Sequence, residues 1–134
     1  MIVISNQAAV GKGLLTPADL EGITTRMNEV LLADGTPLSA AYYCTHRPDE
    51  NCPCRKPKPA LLQTAAEDFN VDVSRSIFIG DSDTDTQAAR AAGCTSVLFN
   101  SEDGPHPSGV LAARSAFDLY AVGAHYLRGT EHAQ

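Results

Sequence analysis

A short stretch of the sequence, CTHRPDENCPCRKPKP at residues 44–59, places three of the four cysteines of the chain beside a histidine. One residue separates Cys44 from His46, and one separates Cys52 from Cys54, so the two pairs offer three thiolates and an imidazole. This is a complete tetrahedral ligand set for Zn²⁺, and four protein ligands leave no open position for water. The pattern therefore predicts a structural zinc site. Unrelated thiols, or a disulfide in an oxidising compartment, are the alternatives.

Positive charge comes directly after the last of these cysteines, in Arg55, Lys56 and Lys58. Zinc bound to Cys52 and Cys54 would fix the backbone just before Arg55 and Lys56, and the prolines at 57 and 59 would stiffen the next part of the chain. Cations held in this way suit an anionic ligand. The alternative is a solvated basic turn, which is the usual meaning of a short charge run.

An acidic loop lies further along the chain, where Asp81, Asp83 and Asp85 place three carboxylates within five residues after an apolar strand. Such crowding is costly without a cation, and oxygen ligands suit Mg²⁺. A helix N-terminus would attract one or two of these carboxylates by its dipole, but it does not easily explain all three.

Hydrogen-bond donors for an anion are available at Ser5 and Asn6, which come after the first apolar run. The nearby Gly11-Lys12-Gly13 is not a P-loop, because that motif requires Ser or Thr after its lysine. A hydroxyl donor, a fixed lysine and a Mg²⁺-binding loop together describe a site for a phosphoryl group, where positioning and charge neutralisation do most of the catalysis.

The elements that would position these groups alternate between strand and helix. Strands are predicted at about 2–4, 38–43, 76–79 and 95–99, and helices at about 17–34, from Pro59 to about 69, at 86–92 and at 115–126, with a loop at 100–108. This order predicts an α/β fold with a Rossmann-like parallel sheet and helices on both faces. Because ligands bind at the carboxyl ends of parallel strands, we expect the three polar clusters to converge.

Length and charge limit the possible functions. The chain has 134 residues, which we interpret as a single domain spanning 1–134. A formal net charge of -6 argues against partners such as nucleic acid or an anionic membrane surface, since both require clustered Lys and Arg. Four cysteines and the N-terminal sequence MIVISNQ favour a cytoplasmic protein with reduced thiols, and the oligomeric state is left open.

These motifs resemble the haloacid dehalogenase (HAD) superfamily of phosphatases, in the branch that contains the D-glycero-D-manno-heptose 1,7-bisphosphate phosphatases and the histidinol-phosphatase domain. Residues 4–13 look like the second motif of that branch, and Cys44 to Cys54 like its zinc loop. Arg55-Lys56-Pro57 is similar to its third motif, and Gly80 to Asp85 to its fourth, GDxxxD.

The resemblance implies a Mg²⁺-dependent phosphatase that hydrolyses a phosphomonoester of a small sugar. It assigns the side chains of Ser5 and Asn6 to phosphate binding, Lys56 to phosphate stabilisation and Arg55 to substrate contact. It makes Asp81 a Mg²⁺ ligand and gives Asp85 a supporting role at the metal or at Lys56. The heptose bisphosphate is favoured as substrate over histidinol phosphate. A non-catalytic, zinc-containing phosphate-binding module is a further alternative, and a small zinc module with a merely exposed acidic loop is another.

Two departures from the family pattern bear on these expectations. Ser82 stands where relatives often carry a basic residue. The first motif, a DxDGT-like segment with the nucleophilic Asp and the general acid/base, is not found in the sequence. Asp81-Ser82-Asp83 has DxD spacing, but its place after the third motif fits the fourth. We therefore expect an N-terminally incomplete domain that lacks the first central strand, has a broken sheet and forms no aspartyl-phosphate on its own.

Overall fold

A computed structural model describes residues 1–99 and 109–131 of the chain. The backbone contacts divide the chain into two compact units, unit 1 from Met1 to Asp72 and unit 2 from Val73 to Gln134. The helices and strands are β1 (Ile2–Asn6), α1 (Ala8–Gly11), α2 (Pro17–Ala33), β2 (Ala40–Cys44), α3 (Ala60–Phe69), β3 (Ile77–Gly80), α4 (Asp83–Ala92), β4 (Thr95–Phe99), β5 (Leu111–Ala113) and α5 (Ala116–Glu131). Single 3₁₀ turns lie at Pro48–Glu50 and Val73–Arg75.

Unit 1 is built on the parallel pair β1 and β2, connected through the long helix α2. A capping box starts this helix: Thr16 Oγ1 accepts a hydrogen bond from Asp19 N–H, and the Asp19 carboxylate accepts one from Thr16 N–H, both at 3.0 Å. The register sets Ile2 opposite Ala40 and ends with Asn6 opposite Cys44. The pairing therefore places the end of the first polar motif beside the first predicted zinc ligand.

Helix α3 covers β1 and β2 with an apolar face that buries Leu62 and Ala65. These residues are three apart and so lie on the same side of the helix. The helix ends at Asn70, whose left-handed backbone conformation is tolerated by Asn and common at helix ends. The cysteine loop spans the interval between β2 and α3, so both of its ends are attached to packed elements.

Unit 2 is a parallel sheet in the order β3, β4, β5, with α4 packed on β3 and β4. Val97 at the centre of β4 and the pair Ala88 and Ala89 on α4 are almost fully buried. The small alanine side chains let the helix approach the sheet closely. This packing fixes the N-terminus of α4 next to the end of β3, where the acidic loop begins.

The structure confirms the parallel α/β fold class. It lengthens β1 by two residues, to Asn6, and begins α4 at Asp83 rather than at residue 86, because Ser82 caps the helix. Strand β5 was not predicted, since three residues give too short an apolar pattern. The loop at 100–108 lies outside the described residues.

Across the described ranges the strands form two sheets, and β1 and β3 belong to different ones. The prediction of one incomplete domain stays a prediction. No described helix has the length and hydropathy needed to span a membrane.

Candidate metal centre and phosphate site

The four predicted zinc ligands come together in unit 1. The Sγ atom of Cys44 lies 3.5 Å from the Sγ atom of Cys52 and 3.6 Å from Nδ1 of His46. The Sγ atom of Cys54 lies 3.7 Å from the Sγ atom of Cys52 and 3.2 Å from Nδ1 of His46. All four ligand atoms lie within 4.8 Å of one another. Across residues 1–99 and 109–131 this is the one group of three or more His, Cys, Asp or Glu placed to share an ion.

These distances fit zinc. With Zn–S near 2.3 Å and Zn–N near 2.0 Å, a tetrahedral ion separates two sulfur ligands by about 3.8 Å and a sulfur from a nitrogen by about 3.5 Å. The sulfurs are far beyond the length of a disulfide bond, and all four cysteines of the chain are free thiols. The cluster can therefore hold a tetrahedral metal ion, and it contradicts the disulfide alternative.

The thiols of the cluster differ in acidity. Burial opposes ionisation of Cys52, but hydrogen bonds from the Cys44 thiol and from the backbone N–H groups of Cys54 and Arg55 outweigh it and lower the pKa of Cys52 to about 7. Burial and the neighbouring sulfurs of Cys44 and Cys52 raise the pKa of Cys54 to about 12. One thiolate therefore forms readily and discourages the next, so a cation among the ligands would relieve this repulsion.

The loop that carries these ligands is braced by groups the sequence did not identify. Lys58 Nζ donates hydrogen bonds to the carbonyl of Cys52 and, at 3.4 Å, to the Asn51 side chain. The backbone N–H of Gln7 donates to the carbonyl of Cys44 at 2.7 Å. Lys58 thus closes the loop rather than facing a ligand. Its place between two prolines gives no sequence signal for such a brace.

Gly11, the last residue of α1, is a close steric contact of the same loop. A Cβ at this position would meet the carbonyl oxygen of Thr45 and the backbone of Arg47. Since Thr45 lies between Cys44 and His46, any side chain at residue 11 would push on the first ligand pair. Packing against this loop therefore requires a glycine at residue 11.

We expect Gly11→Ala to lower the free energy of unfolding by about 1–2 kcal/mol, because the clash is with backbone that cannot rotate away. Gly22→Ala is the matched control: Gly22 lies inside α2 with nothing within 4 Å of its Cβ position, so this variant should be more stable by about 0.5–1 kcal/mol. Urea unfolding followed by circular dichroism measures both. Equal stability of the two variants would contradict the packing role of Gly11.

Lys56 is held against the end of β1. Its residue is 9% exposed, and its ammonium group donates a hydrogen bond to the Ile4 carbonyl at 3.2 Å. Its backbone N–H donates to Asn6 Oδ1 at 3.1 Å, and Asn6 Nδ2 donates to the Lys56 carbonyl at 3.3 Å. A buried ammonium group is stable only with polar partners, and the Ile4 carbonyl is such a partner here. The hydrogen bonds of Lys56 therefore hold this cation in place without a bound ligand. Two of the three predicted polar clusters thus converge, as expected.

Ser5 and Arg55 complete this cationic region. The Ser5 hydroxyl accepts a hydrogen bond from Gln7 Nε2 at 2.8 Å, which leaves its proton for donation. Arg55 Nη1 is buried and has no hydrogen-bond partner among the described residues. A buried guanidinium nitrogen without a partner is costly, and an anion would satisfy it. The region can therefore bind a phosphate group with hydroxyl and cationic donors.

The acidic loop of unit 2 comes after β3, but its three carboxylates are not equivalent. Asp85 is buried, and its Oδ2 accepts hydrogen bonds from Asp81 N–H at 3.1 Å and from the Ser82 hydroxyl at 3.0 Å. Ser82 in turn accepts from Asp85 N–H as the N-cap of α4. Gly80 makes this possible, because a Cβ there would overlap the Asp85 side chain.

Asp81 and Asp83 are exposed. The hydrogen bonds from the Asp81 N–H and the Ser82 hydroxyl go to the carboxylate of Asp85, not to the carboxylates of Asp81 and Asp83. The three acids do not form a three-ligand metal group by themselves, since Asp85 is turned inward to hold the backbone of Asp81. Asp81 is thus the carboxylate presented by a fixed backbone. Convergence of this loop with the unit 1 clusters stays a prediction, as do the roles of the individual residues.

Comparison with known proteins identifies the family. A profile described as HAD-hydrolase-like matches residues 53–116. A D-glycero-beta-D-manno-heptose-1,7-bisphosphate 7-phosphatase of Pseudomonas aeruginosa is 38% identical over 132 residues, which cover 94% of this chain and 72% of that protein. A protein of the same name from Helicobacter pylori is 40% identical over 89 residues, 66% of this chain and 51% of its own length.

A solved structure supports the same assignment. The crystal structure of D,D-heptose 1,7-bisphosphate phosphatase from B. bronchiseptica, complexed with magnesium and phosphate, superposes with a TM-score of 0.81 at 30% identity and covers 92% of this chain and 74% of that one. The family profile includes the third and fourth motifs, and the Pseudomonas relative aligns with nearly the whole chain. The chain belongs to the HAD-like hydrolase family, in its heptose bisphosphate phosphatase branch.

Proposed function

We propose that the chain supplies the phosphate-binding and metal-binding parts of a Mg²⁺-dependent phosphatase for a small phosphorylated sugar, with the 7-phosphate of D-glycero-D-manno-heptose 1,7-bisphosphate as the preferred group. The observation that carries this proposal is the buried Lys56, fixed between the zinc cluster and the end of β1. Relatives named for the heptose bisphosphate favour this substrate over histidinol phosphate. Four reduced thiols support a cytoplasmic location.

The residues divide the work by chemistry. Lys56 neutralises the phosphoryl oxygens, Ser5 donates a hydrogen bond to them, and Arg55 uses its buried Nη1 for the substrate. Cys44, His46, Cys52 and Cys54 hold a structural Zn²⁺ that orders the loop. Asp81 holds Mg²⁺, supported through its backbone by Asp85. Magnesium, when bound, supplies positive charge for the phosphoryl group.

The nucleophilic carboxylate is not among these residues. The sequence contains no DxDGT-like segment, the Asp85 carboxylate already accepts the Asp81 backbone N–H, and we assign the Asp81 carboxylate to the metal rather than to attack. Binding of phosphate by the chain therefore does not require turnover. The missing nucleophile also allows a second candidate, a phosphate-binding module without catalysis, and the buried Lys56 and Arg55 Nη1 favour that module over an isolated zinc module.

Inorganic phosphate binding tests the proposal directly. We expect zinc-loaded chain to bind phosphate in calorimetric titration, and Lys56→Met to weaken that affinity at least about tenfold by removing a buried, charge-assisted donor. Lys12→Met, which removes an exposed lysine after α1, is the control and should leave the affinity unchanged. Equal loss in both variants would mean that phosphate binds only through general charge, and the proposal would fail.

Turnover assays separate the catalytic and non-catalytic versions. With Mg²⁺, the 134-residue chain is expected to release no phosphate from heptose bisphosphate, histidinol phosphate or an aryl phosphate. Hydrolysis that disappears in Asp81→Asn would show that a working nucleophile is present after all. Tighter binding of the heptose bisphosphate than of histidinol phosphate would support the substrate assignment, and the reverse order would overturn it.

A further inference from the structure

Asn6 makes two hydrogen bonds with one residue fifty positions away. Its Oδ1 accepts from the Lys56 N–H at 3.1 Å, while its Nδ2 donates to the Lys56 carbonyl at 3.3 Å. A side-chain amide that pairs with both backbone groups of one residue fixes the position and the direction of that residue. We propose that Asn6 is a positioning residue that aligns Lys56 with the end of β1, rather than a phosphate ligand; this inference rests on the proposed function.

The hydrogen-bonding capacity of the amide supports this role. A side-chain amide has two protons and an oxygen with two lone pairs, and the Lys56 backbone takes one proton and one lone pair. The geometry of these two bonds sets the plane of the amide. Asn6 therefore cannot use the proton that holds the Lys56 carbonyl to bind an anion without releasing the backbone of the lysine that would neutralise that anion.

The same strand end also holds the lysine side chain. Lys56 Nζ donates to the backbone carbonyl of Ile4 at 3.2 Å, and Ile4 lies two residues before Asn6 on β1. Lys56 is thus attached to β1 at its backbone and at its ammonium group. Neither attachment alone would fix the ammonium, because a lysine side chain has four rotatable bonds.

The zinc loop and Asn6 hold this residue from two directions. Cys54, one of the cluster ligands, is two residues before Lys56, and Asn6 pairs directly across from Cys44 in the β1–β2 register. A metal ion in the cluster would limit the path of the chain into Lys56, but rotation about the bonds of Arg55 would remain. The two hydrogen bonds of Asn6 remove that freedom.

Amide hydrogen exchange of the zinc-loaded, phosphate-free chain measures the clamp, monitored residue by residue by NMR. Asn6→Ala removes one hydrogen bond from the Lys56 N–H, so we expect this amide to exchange about tenfold faster. Asn28→Ala is the matched control, because Asn28 Oδ1 accepts from the Leu38 N–H at 2.8 Å elsewhere in unit 1. It should speed exchange at Leu38 and leave Lys56 unchanged. An unchanged Lys56 amide in Asn6→Ala overturns the inference.

A second variant covers the case in which Asn6→Ala does not fold. Asn6→Asp keeps an acceptor for the Lys56 N–H but loses the donor to the Lys56 carbonyl. We expect its Lys56 amide to stay protected, while the carbonyl ¹³C resonance of Lys56 moves upfield as that carbonyl loses its hydrogen bond. If that resonance stays in place, the carbonyl was not bonded to Asn6 and the inference is wrong.

Phosphate titration distinguishes this inference from the proposed function. A positioning role predicts that Asn6→Ala weakens phosphate binding about tenfold and also speeds Lys56 exchange before phosphate is added. Weaker phosphate binding with unchanged exchange would make Asn6 a direct ligand and overturn the inference. If the wild-type chain binds no phosphate while Asn6→Ala still speeds exchange of the Lys56 amide, the proposed function is overturned and the positioning role remains supported.

Discussion

Cys44→Ser is expected to lower the affinity of the chain for zinc by more than about 100-fold, because it removes a metal ligand. Loss of a group that only hydrogen-bonds to a metal ligand already costs about 10–100-fold in affinity. Cys44 is completely buried at the end of β2, and its carbonyl accepts the hydrogen bond from Gln7 N–H. The serine hydroxyl does not ionise at neutral pH and is a poor ligand for zinc. Metal binding and folding of the loop are linked, so stability should fall with affinity.

Competition with a chromophoric chelator gives the zinc affinity, and thermal unfolding with and without EDTA gives the linked stability. Wild-type chain should lose roughly 10 °C in Tm when EDTA removes the ion, whereas Cys44→Ser should start low and respond little. Cys94→Ser is the control, since the Cys94 thiol donates to the Ser76 carbonyl in unit 2, outside the cluster. If wild-type protein purified under reducing conditions proves to contain no bound zinc, that result would count against the site.

Gly80→Ala is expected to lower the free energy of unfolding by about 2–3 kcal/mol and to disconnect Asp81 from its support. The added methyl group would overlap the Asp85 side chain at its Cβ and carboxylate. Gly80 cannot move away, because it pairs with Leu98 in the β3–β4 register, and Asp85 cannot, because it lies in the first turn of the packed helix α4. The Asp85 carboxylate must then release Asp81 N–H.

Urea unfolding measures the stability change, and the ¹⁵N–¹H resonance of Asp81 reports its hydrogen bond. Gly123→Ala is the control in unit 2: nothing lies within 4 Å of its Cβ position on α5, so alanine should stabilise the helix slightly. A Gly80→Ala variant within about 0.5 kcal/mol of wild type, with an unshifted Asp81 resonance, would show that the close approach is not needed.

Local patterns explain which features could be predicted. Helix α2 was predicted within one residue, because Thr16-Pro17 and the spacing of its apolar residues are signals within a single segment. The zinc quartet was equally accessible, since its members fall between residues 44 and 54 and their chemistry depends on side-chain type. Neither feature requires knowledge of distant contacts.

The remaining features depend on contacts between distant residues or on the direction of a side chain. Asn6 and Lys56 are fifty residues apart, so no spacing rule could show that the amide pairs with the lysine backbone. The GDxxxD spacing placed Asp81 and Asp85 in one motif, but only the fold shows that Asp85 faces inward to hold the Asp81 backbone. Strand β5 depends on pairing with β4, which three residues of sequence do not reveal.

The short distance along the chain from Cys54 to Lys56 has a thermodynamic consequence. If zinc in the cluster strengthens the binding of an anion at Lys56, linkage requires the anion to strengthen the binding of zinc by the same factor. Each ligand then raises the affinity of the chain for the other. When zinc is scarce, a high concentration of phosphorylated substrate would raise the fraction of chains that hold the ion, so the metal content of this protein would depend on the supply of its substrate as well as on the supply of zinc.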